Sequence, residues 1–346
     1  MAPNNSQGKS GTANFLDGGV KGSLNVDMGR GHAFSIGAGY ELRAPMANTA
    51  FIAPEISNDF VTNLKNERIF SSEFSYLYRN AWLSANVSGY YSRLENVTEW
   101  QNFYNDDENS FTYVSMTGLK KEYYGVEVGA KFKLTSWLDL KTLGAMSEAK
   151  NINNVNAVYM LSKSAEVYRD KAYVMDMRES GTPLTVGSIG LDAHVNGWFV
   201  NLNANYYDRI YLSYSPSYRY EKTLKNRHKA HRAFPEIFPE VMTEDETSWR
   251  EDAVAQEKGH GGWMVDLSIG KSVRLKKGSL NFNLMITNLL NNQTIVTGGY
   301  EQNSRSSYTL DSNGEVKNPR YYQFSKNPKK YYTWGTNGMF QVSYRF

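Results

Sequence analysis

Phe340-Gln341-Val342-Ser343-Tyr344-Arg345-Phe346 alternates apolar and polar side chains up to the last residue. A period of two puts Phe340, Val342, Tyr344 and Phe346 on one face of a strand, and Gln341, Ser343 and Arg345 on the other. Soluble domains seldom finish on an aromatic in a strand, because chain ends fray into polar tails. A strand with lipid on one face and water on the other can finish so.

The same alternation recurs towards the N-terminus. Leu280, Phe282, Leu284 and Ile286 oppose Asn281, Asn283 and Thr287, after Val265, Leu267, Ile269, Val273 and Leu275. Ile189 to Val195 and Trp198 to Tyr206 flank Asn196-Gly197, the preferred dipeptide of a two-residue hairpin. Tyr124, Val126, Val128, Ala130, Phe132 and Leu134 oppose Gly125, Glu127, Gly129, Lys131 and Lys133. Similar strands start near Val20, Phe34, Phe70 and Leu83, with a less regular one over 138–148. The count is about eleven. Polar residues such as Glu41, Arg43, Glu73 and Arg79 share the face opposite the apolar one.

The connections fall into two classes. Short turns are expected at 29–31, 80–81, 135–137, 196–197 and 276–278, and long loops at about 44–68, 95–120, 150–183, 212–262 and 290–331. Short and long alternate, so tight turns gather on one edge and long loops on the other, the asymmetry of bacterial outer-membrane barrels. A soluble β-sandwich would need large side chains on its inner faces, whereas here those faces carry Asn, Ser, Gly, Glu and Lys. No repeat of fixed period points to a solenoid.

Composition is consistent with this reading. Among 346 residues there is no cysteine, which excludes disulfides, thiolate metal sites and thiol nucleophiles. Aromatics make up 14%, with 25 Tyr, as suits a membrane–water boundary. Mean hydropathy is −0.57, and no apolar run approaches the ~20 residues of a spanning helix. A net charge of +3 argues against a dedicated nucleic-acid binder. Met1 to Gln7 has no apolar core of a signal peptide.

Several segments then carry a family likeness: Asn63-Leu64-Lys65-Asn66-Glu67, Lys120-Lys121-Glu122-Tyr123-Tyr124-Gly125-Val126-Glu127 and Asn205-Tyr206-Tyr207-Asp208. Near the end follow Thr287-Asn288-Leu289-Leu290-Asn291-Asn292, Thr297-Gly298-Gly299-Tyr300-Glu301-Gln302 and Tyr344-Arg345-Phe346. In order and spacing over about 60–346, they resemble the C-terminal half of the barrel of TonB-dependent outer-membrane receptors. The likeness is strongest to the Bacteroides type with a carboxypeptidase-regulatory-like domain; Asn66 stands where that family prefers Pro.

The fold expected is therefore all-β: part of a transmembrane antiparallel up-and-down β-barrel, about eleven of the 22 strands the resemblance implies. Residues 1–17 would be a remnant of an extracellular loop and 18–346 the C-terminal portion of the barrel, with the plug domain absent. An odd strand count fits a piece of a larger barrel, since bacterial single-chain barrels close with even numbers. The chain alone is not expected to transport. The resemblance implies uptake of a scarce nutrient captured by extracellular loops and energised by the TonB complex through the plug. Outer-membrane lipid and the barrel-assembly machinery are expected partners, the latter reading Phe340, Val342, Tyr344 and Phe346. A surface lipoprotein is a further candidate partner. A surface adhesin or interaction barrel that binds without importing is the alternative.

Candidate chemistry is sparse, and no catalytic site, metal site or cofactor is expected. His228 and His231, with His260 in the same loop, could ligate a metal or haem, but the neighbouring Lys and Arg favour a solvated cationic loop. Asn105 to Asn109 has oxygens for Ca²⁺ without the spacing of a Ca²⁺ loop. Acidic residues from Glu244 to Asp252 could pair with the basic stretch before them. The loop aromatics Trp100, Tyr104, Tyr159, Tyr168 and Trp249 suit either ligand contact or packing of loop on loop. Neither a Rossmann fingerprint nor a Gly-x-Ser-x-Gly elbow occurs.

Overall fold

The computed structural model describes residues 8–105, 109–164, 166–301, 307–313, 316–320 and 328–346. About 60% of the described residues are strand and 7% helix. In chain order the strands are β1 (Gly18–Gly29), β2 (His32–Arg43), β3 (Glu67–Arg79), β4 (Leu83–Asn105), β5 (Ser110–Lys133) and β6 (Leu138–Asn151). There follow β7 (Val155–Leu161), β8 (Val167–Ala172), β9 (Pro183–Val195), β10 (Trp198–Tyr211), β11 (Lys258–Gly259), β12 (Gly262–Leu275) and β13 (Gly278–Thr287). The last are β14 (Val296–Tyr300), β15 (Ser307–Leu310), β16 (Val316–Arg320), β17 (Lys329–Tyr332) and β18 (Asn337–Arg345).

Eleven of them form one antiparallel path, β1-β2-β3-β4-β5-β6-β9-β10-β12-β13-β18, and β7, β8 and β11 bring the sheet to fourteen. The expected all-β partial barrel is what forms, as an open sheet. Its two edges, β1 and β18, each have one neighbour.

Turn chemistry sets the short edge. Asn196 and Gly197 have φ of 48° and 77°, as a type I′ hairpin requires. Gly31 is needed for space as well as for its φ of 87°: a Cβ there would lie 1.8 Å from the Arg79 carbonyl oxygen. Asn80 caps the β3–β4 turn by accepting from the Trp82 and Leu83 amides at 2.9 and 2.7 Å.

Register then aligns the faces. Val26, Phe34, Tyr76, Val87 and Val128 fall in one cross-strand row. Ala193, Val200, Ile269, Leu284 and Phe340 form another. This apolar face lies open, with Val128 46% and Phe340 63% exposed. Trp82, Trp137 and Trp198 mark its short-turn end, and Tyr124, Tyr206 and Trp263 its loop end. From Trp198 to Tyr206 the strand runs about 27 Å. At tilts of roughly 35–45° that is about 20 Å along the normal, close to the ~25 Å lipid band of such barrels.

The opposite face is polar and internally paired. Asn201 donates to Asp192 at 2.5 Å, Asn205 to Asp266 at 3.1 Å and Ser188 to Asn205 at 2.8 Å. Lys131 meets Asp139 at 2.8 Å, and Lys141 meets Asp192. Lys271 is an exception on the apolar face. It reaches the short-turn end, where its Nζ donates to the Asn196 carbonyl at 2.6 Å and lies 5.0 Å from the Trp198 ring centre.

Three expectations change at the loop edge. Residues 95–120 were expected to form a loop, yet β4 and β5 continue as a paired hairpin to Asn105 and Ser110. The expected loop 150–183 contains β7 and β8, and β7 pairs with this hairpin. The loop over 212–262 carries a 3₁₀ helix (Pro216–Arg219), helix α1 (Glu221–Ala233) and the short α2 (Glu251–Val254). The buried apolar core lies here rather than under the main sheet, as Ala53, Val114, Met116, Leu119, Val174, Leu224 and Ile295 show.

Candidate functional site

The loop layer begins where β4 and β5 leave the barrel wall. Their register runs unbroken to Leu94–Lys121, then shifts on either side of Val97–Leu119. Asn96 and Gly118, with φ of 59° and 78°, supply the left-handed backbone of this irregularity. Beyond it both faces of the hairpin are covered. One face packs Val114, Met116 and Leu119 against Val174, Met177, Tyr214 and Tyr220. The other sets Tyr113, Val158 and Met160 against Ile52, Ala53 and Val61 from the first long loop.

At the junction a buried lysine is held between carboxylates. The Lys121 ammonium contacts Glu99 and lies 2.5 Å from Glu179, which also accepts from Tyr123 at 2.8 Å. Asn151 donates to the Tyr214 hydroxyl at 3.2 Å, and that hydroxyl donates to Glu99 at 3.4 Å. Burial disfavours the Lys121 charge, but Glu99 and Glu179 outweigh it and hold the ammonium above the ordinary lysine range. Burial alone would raise the Glu179 carboxyl, but the Lys121 charge brings it below its usual value. Burial, with the Glu99 charge, pushes the Tyr214 phenol well up. Lys121, Glu99, Glu179, Asn151 and Tyr214 line a cavity of about 280 Å³, together with Ser213.

A second ion pair locks two loops together. Arg219 and Glu301 are both fully buried and 2.6 Å apart. Arg219 also donates to the carbonyls of Val254, Ser215 and Ala255 at 2.9, 2.9 and 2.7 Å. Glu301 accepts a second guanidinium bond at 2.8 Å and the Ser215 amide at 2.9 Å. Neither this clasp nor the Lys121 cluster was singled out from the sequence. Their partners lie up to 115 residues apart and no local pattern announces them.

The residues singled out from the sequence do not converge. Trp100 donates its Nε1 to the Ile52 carbonyl at 3.2 Å and packs against Tyr113. Tyr168 stacks on Tyr159, which stacks on Tyr220, at 5.2 and 5.0 Å. Trp249 sits edge-on to Tyr173 at 6.0 Å. Tyr104, at the hairpin tip, meets Phe111 edge-on at 5.4 Å, and the two are 44% and 50% exposed. His231 Nδ1 is 2.8 Å from the Phe238 carbonyl, and His228 Nε2 is 3.7 Å from Glu246. Among the described residues, no three His, Cys, Asp or Glu side chains come together as metal ligands. The Ca²⁺-like stretch at 106–108 lies outside the described residues. Between the basic and acidic parts of this loop, Glu246 pairs with His228 and, at 3.9 Å, with Arg232. Phe340, Val342 and Tyr344 pair with Leu284, Phe282 and Leu280 at the sheet edge.

This architecture has solved relatives. The chain is similar to the copper transporter OprC, with 13% identity and a TM-score of 0.56, over 94% of this chain and 40% of that one. It is also similar to the ferric-catecholate import receptor Fiu from E. coli K12 (13% identity, TM-score 0.51, 94% of this chain and 34% of that one). The ferric citrate transporter FecA in its unliganded form compares at 11% identity and a TM-score of 0.51, over 93% and 37%. At such identities the likeness is one of fold, and the chain spans two fifths or less of each relative. No curated protein matches it by sequence. The family described as TonB dependent receptor-like, beta-barrel matches residues 12–289. With that match over most of its length, the chain belongs to the β-barrel family of TonB-dependent receptors.

Proposed function

We propose that the chain forms the C-terminal part of the barrel wall of an outer-membrane receptor that takes up a scarce nutrient, energised by TonB through a plug domain. One observation carries the reading: a self-packed loop layer stands on one end of an antiparallel wall with a polar inner face and an apolar outer face. Residues 1–17 would belong to an extracellular loop and 18–346 to the wall. The Bacteroides-type subgroup, the assembly machinery acting on Phe340 to Phe346, and a surface lipoprotein partner belong to the same proposal.

Of the loop aromatics, we assign first ligand contact to Tyr104 and Phe111, whose exposure sets them apart from the packed Trp100. The test is growth of a deletion strain on iron complexes, copper, cobalamin or glycans as the limiting nutrient. Loss of growth on one nutrient, restored by the wild-type gene and poorly by Tyr104→Ala, is expected. Unchanged growth and uptake alongside lost surface binding of a partner would favour the adhesin reading instead.

A further inference from the structure

The outward face of β2–β6 carries a recess. Register places Ile36, Phe74, Gly89, Val126 and Met146 in one row. Ser72, Tyr91, Tyr124 and Glu148 form the next row towards the loops. Gly89 leaves a gap where its neighbours in the row have bulky side chains. A Cβ built there would meet only the Gly125 carbonyl oxygen, at 3.8 Å. The result is an open notch of about 700 Å³.

Its chemistry changes along its length. Phe74, Val126 and Met146 line the end nearer the midplane, and Glu148 and Arg209 the loop end. Glu148 accepts from two guanidiniums, Arg178 Nε at 2.6 Å and Arg209. Arg209 also donates to the Ser147 carbonyl at 2.8 Å. Two cations on one carboxylate leave a surplus positive charge at the Glu148 triad, whose Glu148 and Arg209 line the notch, whereas Arg93, outside the lining, stands between two carboxylates, Glu95 and Glu122.

We propose that the notch is a specific site for one anionic lipid of the loop-side leaflet. Its acyl chain lies over Gly89 between Phe74 and Met146, and its phosphate meets Arg209. The notch is apolar towards the midplane and cationic towards the loops, the same sense as a lipid in that leaflet, and its floor is a missing side chain rather than a flat wall. The site rests on the reading that this face meets lipid.

The full chain in its membrane form is reconstituted with equal phosphatidylglycerol and phosphatidylcholine of the same chains, and retained lipid is read by native mass spectrometry. Wild type is expected to keep phosphatidylglycerol preferentially. Gly89→Trp should lower retention about tenfold, with Met146→Trp narrowing the same notch as a second variant. Leu284→Trp, six strands away on the same face, should leave retention unchanged. Arg209→Gln should abolish the preference between the two lipids. Equal retention by Gly89→Trp, Met146→Trp and wild type, or an equal loss in Leu284→Trp, would overturn the site. Quenching of the indole of Leu284→Trp by brominated chains separately tests whether the face meets lipid at all.

Discussion

Arg219 shows no exposed side-chain surface, and its five N–H groups find acceptors in Glu301 and three carbonyls. Removing one member of such a pair strands a charge. Arg219→Met should therefore cost about 3–5 kcal/mol of loop-layer stability. Arg219→Met with Glu301→Met should recover much of that loss in limited proteolysis. Lys121 and Glu179 make a pH-dependent contribution instead. The Glu179 carboxyl lies below its unfolded value of 4.5, so its contribution is complete above that pH and is lost as pH falls through the folded value. The Lys121 ammonium lies above 10.5, so its share is complete below that pH and is lost as pH rises through the folded value. Protease resistance of the layer should be flat from about pH 5 to 10 and fall below about 4.5. Glu179→Gln should blunt the acid limb; an unchanged acid limb would place the titrating group elsewhere.

β5 shows at the scale of one element what its sequence could reveal. From Tyr124 to Lys133 its faces differ, one apolar and open, one polar, and a period of two was legible. From Thr112 to Met116 both faces are buried, so Tyr113, Val114 and Met116 fall on both faces without alternation and the segment reads as a loop. The left-handed Asn96 and Gly118 also break the register there. Face assignment in the alternating part is testable by charge. Val128→Arg, on the outward face, should cost about 2–4 kcal/mol near the midplane. Asn283→Ala, on the inward face, loses one bond from Ser268 at 3.0 Å and should cost about 1 kcal/mol. Heat-modifiability on gels should separate the two; equal effects would reverse the faces.

Across the whole molecule, eleven strands, their order and the split between turns and loops were legible because neighbouring strands are joined in sequence. The loop layer was not, because its contacts are long-range. That difference has a kinetic consequence. Five hairpins of the wall, β1–β2, β3–β4, β5–β6, β9–β10 and β12–β13, close over short turns, whereas the core around Val114 draws on residues from Val97 to Tyr220, and Tyr113 reaches back to Glu55. Non-local contacts form late, since loop-closure entropy must be overcome before they add stability. In a refolding time course, heat resistance of the wall should therefore appear before protease resistance of the loop layer. If the layer became resistant first, it would be the nucleus and the wall its product. On the expected order, the residues most completely withdrawn from water are the last to leave it.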